Sequence, residues 1–149
     1  MSSPISKNKM RSAARLSAVQ SMYGAKLTGE KIIDTVTRFI ENGSVADLGD
    51  ITIPADEALY SRIVHGCIER GEEIATIANS ALKKRPIEKQ ASILQYILTA
   101  GIFELLDNVE ADSKLIISEY VDIAHAFYEP QQAGLVNGVL DNIAKVVRA

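Results

Sequence analysis

The chain has 149 residues, of which 47% are hydrophobic and 23% charged, with a net charge of −3 at neutral pH. This is enough for one domain with its own core and argues against a disordered chain. The single cysteine, Cys67, leaves no internal disulfide, and no apolar run approaches the roughly 20 residues of a membrane helix. The expectation is therefore a soluble, cytoplasmic protein with no membrane partner, because the polar and basic stretch Met1 to Ser12 lacks the apolar core of a secretory signal.

Charge is distributed unevenly. Residues 1–29 hold Lys7, Lys9, Arg11, Arg15 and Lys26 and no acid, for +5, whereas the remainder holds 11 basic and 19 acidic residues, for −8. A basic arm on an acidic body suits a phosphate-bearing partner. It also suits a solvated start, and residues 1–8 are expected to be flexible.

Ala14, Ala18, Val19, Met22 and Tyr23 recur at helical spacing and predict a first helix over about 9–27, closed by Gly29. Ile32, Ile33, Val36, Phe39 and Ile40 predict a second, stopped by Asn42-Gly43. Ser44 to Ile53 reads as a loop, and Ile51-Thr52-Ile53 is too short to predict a sheet. Pro54 is expected to open a long helix through Leu59, Ile63, Cys67, Ile74 and Leu82, which Gly66 and Gly71 would bend or divide.

Lys83-Lys84-Arg85 is read as a basic helix C-terminus that complements the helix dipole, with Pro86 restarting the chain. Ile93 to Leu106 is apolar nearly all round and predicts the central helix of the core. Asp112 or Ser113 should cap the next helix, which carries Ile116, Val121, Ile123 and Phe127. Pro130 should begin the last, with Val136, Val139, Leu140 and Ile143. The reading is all-α, six to seven helices in one domain over 1–149, with a seam at Pro86 between halves of about 9–85 and 86–148.

Catalytic constellations are missing from the pattern. There is no phosphate loop of the Gly-rich, Lys-Ser/Thr type and no Gly-x-Ser-x-Gly turn. His65 and Cys67 are two residues apart on a helix, about 200° around its axis, which is poor geometry for a nucleophile and base. Glu119, Asp122 and His125 share a helix face like half of a di-iron motif, but no second carboxylate–histidine pair exists. One cysteine and two histidines are also too few for zinc. No enzyme activity, metal or cofactor is expected.

Four segments resemble the NusB family. Ala14-Arg15-Leu16-Ser17-Ala18-Val19-Gln20-Ser21-Met22-Tyr23 is similar to its opening helix, and Val136-Asn137-Gly138-Val139-Leu140-Asp141 to its Phe-Val-Asn-Gly-Val-Leu-Asp signature. Gly101-Ile102-Phe103-Glu104-Leu105 and Ile117-Ser118-Glu119-Tyr120-Val121 resemble two internal stretches in the right order. The resemblance covers about Arg11 to Arg148. It implies an all-helical fold of two small packed bundles and a non-catalytic factor in transcription antitermination and ribosomal RNA maturation. Such a factor binds boxA-type single-stranded RNA as a heterodimer with the ribosomal protein NusE, within an antitermination complex with RNA polymerase.

Carried onto this chain, the resemblance implies RNA contacts at Lys9, Arg11, Arg15, Gln20, Phe127, Gln131 and Leu135, and a NusE interface at Tyr23 and Gln95. Arg15 borders the apolar stripe, and because an unpaired buried arginine is costly it is expected to face outward. Phe127 would stack on an unpaired base or fill the core, and core is the favoured reading of Leu135. The chain also departs from the family. Ser12 and Ala13 replace common arginines, and Gly134 and Leu135 replace a basic residue and an aromatic. Fewer cations imply weaker, less salt-sensitive RNA binding, while Gln131 in place of a frequent acid acts the other way. The competing readings are a helical interaction adaptor or homodimer with little RNA affinity, and an RNA-modifying enzyme, which lacks the nucleotide-binding segment it would need.

Overall fold

The structure, a computed structural model, describes residues 5–128 and 130–149. Among the described residues there are seven α-helices: α1 (Lys7–Thr28), α2 (Ile32–Glu41), α3 (Glu57–Glu69), α4 (Gly71–Ala81), α5 (Ser92–Asp107), α6 (Ser113–Phe127) and α7 (Pro130–Val147). A short 3₁₀ turn, Ile87–Lys89, precedes α5. The all-α reading holds, with one addition: Val45–Asp47 (β1) and Thr52–Pro54 (β2) form an antiparallel hairpin where a loop was expected. The flexibility expected of residues 1–8 falls, for residues 1–4, outside the described residues, and α1 begins at Lys7.

Two compact units divide inside α3, one reaching to Val64 and the other running from His65. This division lies upstream of Pro86, where the sequence pattern suggested a seam.

In the first unit α1 packs on α2 and on both strands. Ser6 caps α1 by accepting the Lys9 N–H at 3.2 Å. Gly29 ends the helix in the left-handed region, its N–H donating to the Ala25 carbonyl, as a glycine past a helix end should. The hairpin is continued by one rung and tied to α1 beyond it. Ala55 N–H donates to the Ser44 carbonyl at 2.8 Å and Asp56 N–H to the Met10 carbonyl at 2.9 Å. Pro54 sits opposite Val45 as the last residue of β2, a strand end where a missing N–H is tolerated. It does not open α3 as expected. Asp56 caps that helix instead, its carboxylate accepting the Leu59 N–H at 3.0 Å.

In the second unit α5 packs against α4, α6 and α7, which explains its nearly all-apolar sequence. Leu94, Ile97, Leu98 and the whole run Ala100–Leu105 are buried. Glycine permits two close approaches. A Cβ on Gly66 would lie 2.1 Å from the Phe103 ring, and one on Gly101 would lie 2.9 Å from a Leu140 methyl. The buried Glu104 carboxylate accepts from the Tyr120 hydroxyl at 2.5 Å and the Asn108 amide at 2.9 Å, so the acid within the apolar run is fully used by neighbours. Arg148 closes the unit, donating to the backbone carbonyls of Leu105 (2.8 Å), Ala111 (2.6 Å) and Asn108 (2.7 Å).

Candidate nucleic-acid interface

The first unit presents a short cationic surface. Lys7, Lys9 and Arg11 are exposed on the opening turns of α1, whose Met10 carbonyl is already tied to Asp56. The i, i+4 spacing carries Lys7 and Arg11 on to Arg15, but Arg15 is only 2% exposed and is engaged in an interaction within the protein. The expectation of an outward Arg15 is therefore corrected. By that point of α1 the surrounding chain has closed over it, and satisfied burial removes the penalty that argued against burying it.

Gln20 is exposed and lines a groove of about 340 Å³ with Gly24, Thr28, Glu30 and Arg38. The Arg38 guanidinium forks onto Glu30, with Nη2 donating to Oε2 at 2.9 Å and Nη1 donating to the other oxygen. Thr35 also donates to Glu30, at 2.8 Å. These bonds hold the Glu30 carboxyl below the usual range, Arg38 contributing most. The groove's one cation is thus matched by a carboxylate, and Gln20 stands in nearly neutral surroundings. Tyr23 is half-buried on the same helix.

The second unit holds a groove of about 430 Å³ lined by Arg85, Gln90, Leu94, Tyr128, Gln132 and, of the expected residues, Gln131 and Leu135. Gln131 is exposed and Leu135 is 37% exposed, so Leu135 is a groove wall and its core reading is corrected. Phe127, 41% exposed, ends α6 beside Tyr128, so its ring is open to solvent and does not fill the core. Gln95 faces inward to the chain's own backbone: its amide donates to the Glu88 and Gln90 carbonyls at 3.1 and 2.8 Å.

Sequence reasoning missed Arg85, Gln90, Tyr128 and Gln132. Arg85 had a visible signal in the cluster Lys83-Lys84-Arg85, read as a dipole complement. In the structure α4 ends at Ala81 with no base in its last turn, and all three cations are exposed beyond it. Tyr128 had a signal too, as the ring next to Phe127.

The remaining chemical candidates separate. Cys67 is buried, and burial, with Glu104 second, raises its thiol well above the usual range. Asp122 and His125 are exposed on α6. Among the described residues no group of three or more His, Cys, Asp or Glu is placed to hold a metal ion, and no helix is long and apolar enough to cross a membrane.

The NusB family profile matches residues 12–145. A transcription antitermination protein NusB from Nitrobacter winogradskyi is 38% identical over 145 residues, covering 95% of this chain and 89% of the relative. Among solved structures, NusB of T. maritima superposes with a TM-score of 0.73 at 21% identity, over 98% of this chain and 94% of that one. A chain from a crystal structure of NusB and NusE in complex with double-stranded RNA gives a TM-score of 0.75 at 22% identity, over 92% and 97%.

Proposed function

Because this chain belongs to the NusB family, we propose that it is a cytoplasmic, non-catalytic transcription antitermination factor that binds boxA-type single-stranded RNA together with NusE. The observation that carries this reading is that one unit exposes cations and the other exposes flat or apolar side chains. Lys9 and Arg11 are exposed on α1 in the first unit, and Phe127 on α6 and Gln131 and Leu135 on α7 are exposed in the second. Cations hold the RNA backbone without regard to sequence, and rings and amides meet splayed bases. The division of labour between chain and NusE is supported by the modest charge: the three exposed cations on the opening turns of α1, Lys7, Lys9 and Arg11, give a weak electrostatic grip, which a partner would have to supplement.

Of the proposed contacts, Lys9, Arg11, Phe127, Gln131 and Leu135 have the exposure that RNA binding requires, and Gln20 has it with less charge around it. Arg15 supports α1 from inside. Tyr23 remains the proposed NusE contact on α1, and Gln95 shapes the backbone of its own unit beside that role.

Size-exclusion chromatography with light scattering tests the partnership. Mixing the chain with the NusE of its own organism should give a one-to-one heterodimer that takes up one boxA-like RNA. A stable homodimer that ignores NusE would instead establish the chain as an interaction adaptor.

A further inference from the structure

We propose that a second groove of the second unit, between the last turns of α4 and α7, is a docking site for an acidic amphipathic helix of a protein partner. This inference goes beyond the RNA-binding reading and does not rest on it. The groove has a volume of about 490 Å³, and its apolar lining comes from Ile77 and Ala81 on α4 and from Ile143, Val146 and Val147 on α7. Val146 is 77% exposed, and Ile77 and Val147 beside it in the groove are half-buried. The helix end that carries them is held in place. Arg148 fastens it by donating to the carbonyls of Leu105, Asn108 and Ala111. The valine is therefore not exposed by fraying: the fold keeps a contiguous apolar surface open to water, a mark of a place that a partner covers.

Charge says what kind of partner. The charged lining consists of two lysines and no acid: Lys83 follows the end of α4, and Lys145 lies on α7. Lys83 is exposed and has no carboxylate partner among the described residues. Lys145 meets Asp141 at 3.1 Å with both side chains more than half exposed, a pair weak enough in water to be exchanged for a partner's acid. Residues 30–149 carry −8 overall, so these cations stand against the charge of the chain around them. An aliphatic groove with a cation from each side fits a helix whose apolar residues recur at i, i+4 and i+7 and whose flanks carry Glu or Asp. It does not fit RNA. No aromatic ring lines it, and unpaired bases need a flat surface on which to stack.

The test is fluorescence anisotropy on the full chain at low salt. The probe is a labelled synthetic helical peptide of about fourteen residues, with leucines at that spacing and glutamates beside them. A peptide with lysines in place of the glutamates is the control. The acidic peptide should bind about tenfold more tightly than the basic one, and Lys83→Glu combined with Lys145→Glu should invert that order. Val146→Ser should weaken the acidic peptide about fivefold through lost apolar contact. All three residues are exposed, so urea midpoints should move little, which separates loss of docking from loss of fold. Binding should persist when the chain is saturated with NusE and boxA-like RNA. Equal binding of the two peptides, or variants that bind like wild type, overturn the docking site and leave the RNA reading standing. Displacement of the peptide by NusE or by RNA overturns it as well, since the groove then belongs to whichever displaced the peptide. A concentration-dependent dimer that Val146→Ser dissolves makes a second copy the occupant and also overturns it.

Discussion

Arg15 and Arg11 lie one helical turn apart on a helix that reads as uniformly basic, yet their side chains meet opposite fates. Arg11 is in water and Arg15 is inside. Arg15→Glu should therefore act on the fold, placing a carboxylate in a site built around a guanidinium. The expected loss is about 3 kcal/mol or more, read by urea unfolding. Lys9→Ala with Arg11→Ala should leave unfolding within about 0.5 kcal/mol of wild type and act on RNA. If both contact phosphate, the slope of log affinity against log salt falls by about 1.4 for a single strand. An unchanged slope would remove both residues from the interface. Arg148 is a third case, since its guanidinium serves backbone carbonyls of Leu105, Asn108 and Ala111. Arg148→Ala should cost about 2 kcal/mol, with only partial recovery in Arg148→Lys, whose single ammonium cannot reproduce the fork. Cys67, with its thiol pushed up by burial, should react with a thiol reagent only when the protein is unfolded, because the thiolate is the nucleophile.

At the level of elements, the helices were legible because apolar residues repeat at the helical period over long stretches, and their ends carry ordinary signals such as Gly29 and Pro130. The hairpin was not legible. Three residues per strand are too few to show an alternation, and the tie that fixes the hairpin to α1, from the Asp56 N–H to the Met10 carbonyl, is tertiary. The same limit hid the groove, since Arg85 and Tyr128 are far apart in sequence and meet only after α5 and α7 pack. Arg15 was misread because burial of a cation depends on partners that a single helix does not reveal. The glycines separate in a testable way. Gly66→Ala places a Cβ within 2.1 Å of the Phe103 ring and should lower stability by about 1–3 kcal/mol. Gly138 lies exposed in α7 with nothing within 4 Å of an added Cβ, so Gly138→Ala should raise stability by about 0.5–1 kcal/mol. Thermal or urea unfolding of the two variants should move in opposite directions. A loss at Gly138 would mean that its helix conformation is misassigned.

For the whole molecule, each unit carries its own share of the proposed work. The first supplies exposed cations on the opening turns of α1, and the second supplies a groove lined by a ring, an arginine and glutamines. The affinity should be built from several weak contributions, so that removing any one surface lowers it without abolishing folding.

Titration of a fluorescently labelled boxA-like RNA, beside a scrambled RNA of equal length, with and without NusE, tests this most directly. Weak binding by the chain alone, clear preference for the boxA-like RNA, and at least tenfold tighter binding once NusE is present are expected. Equal affinity for both RNAs, unmoved by NusE, would contradict that expectation.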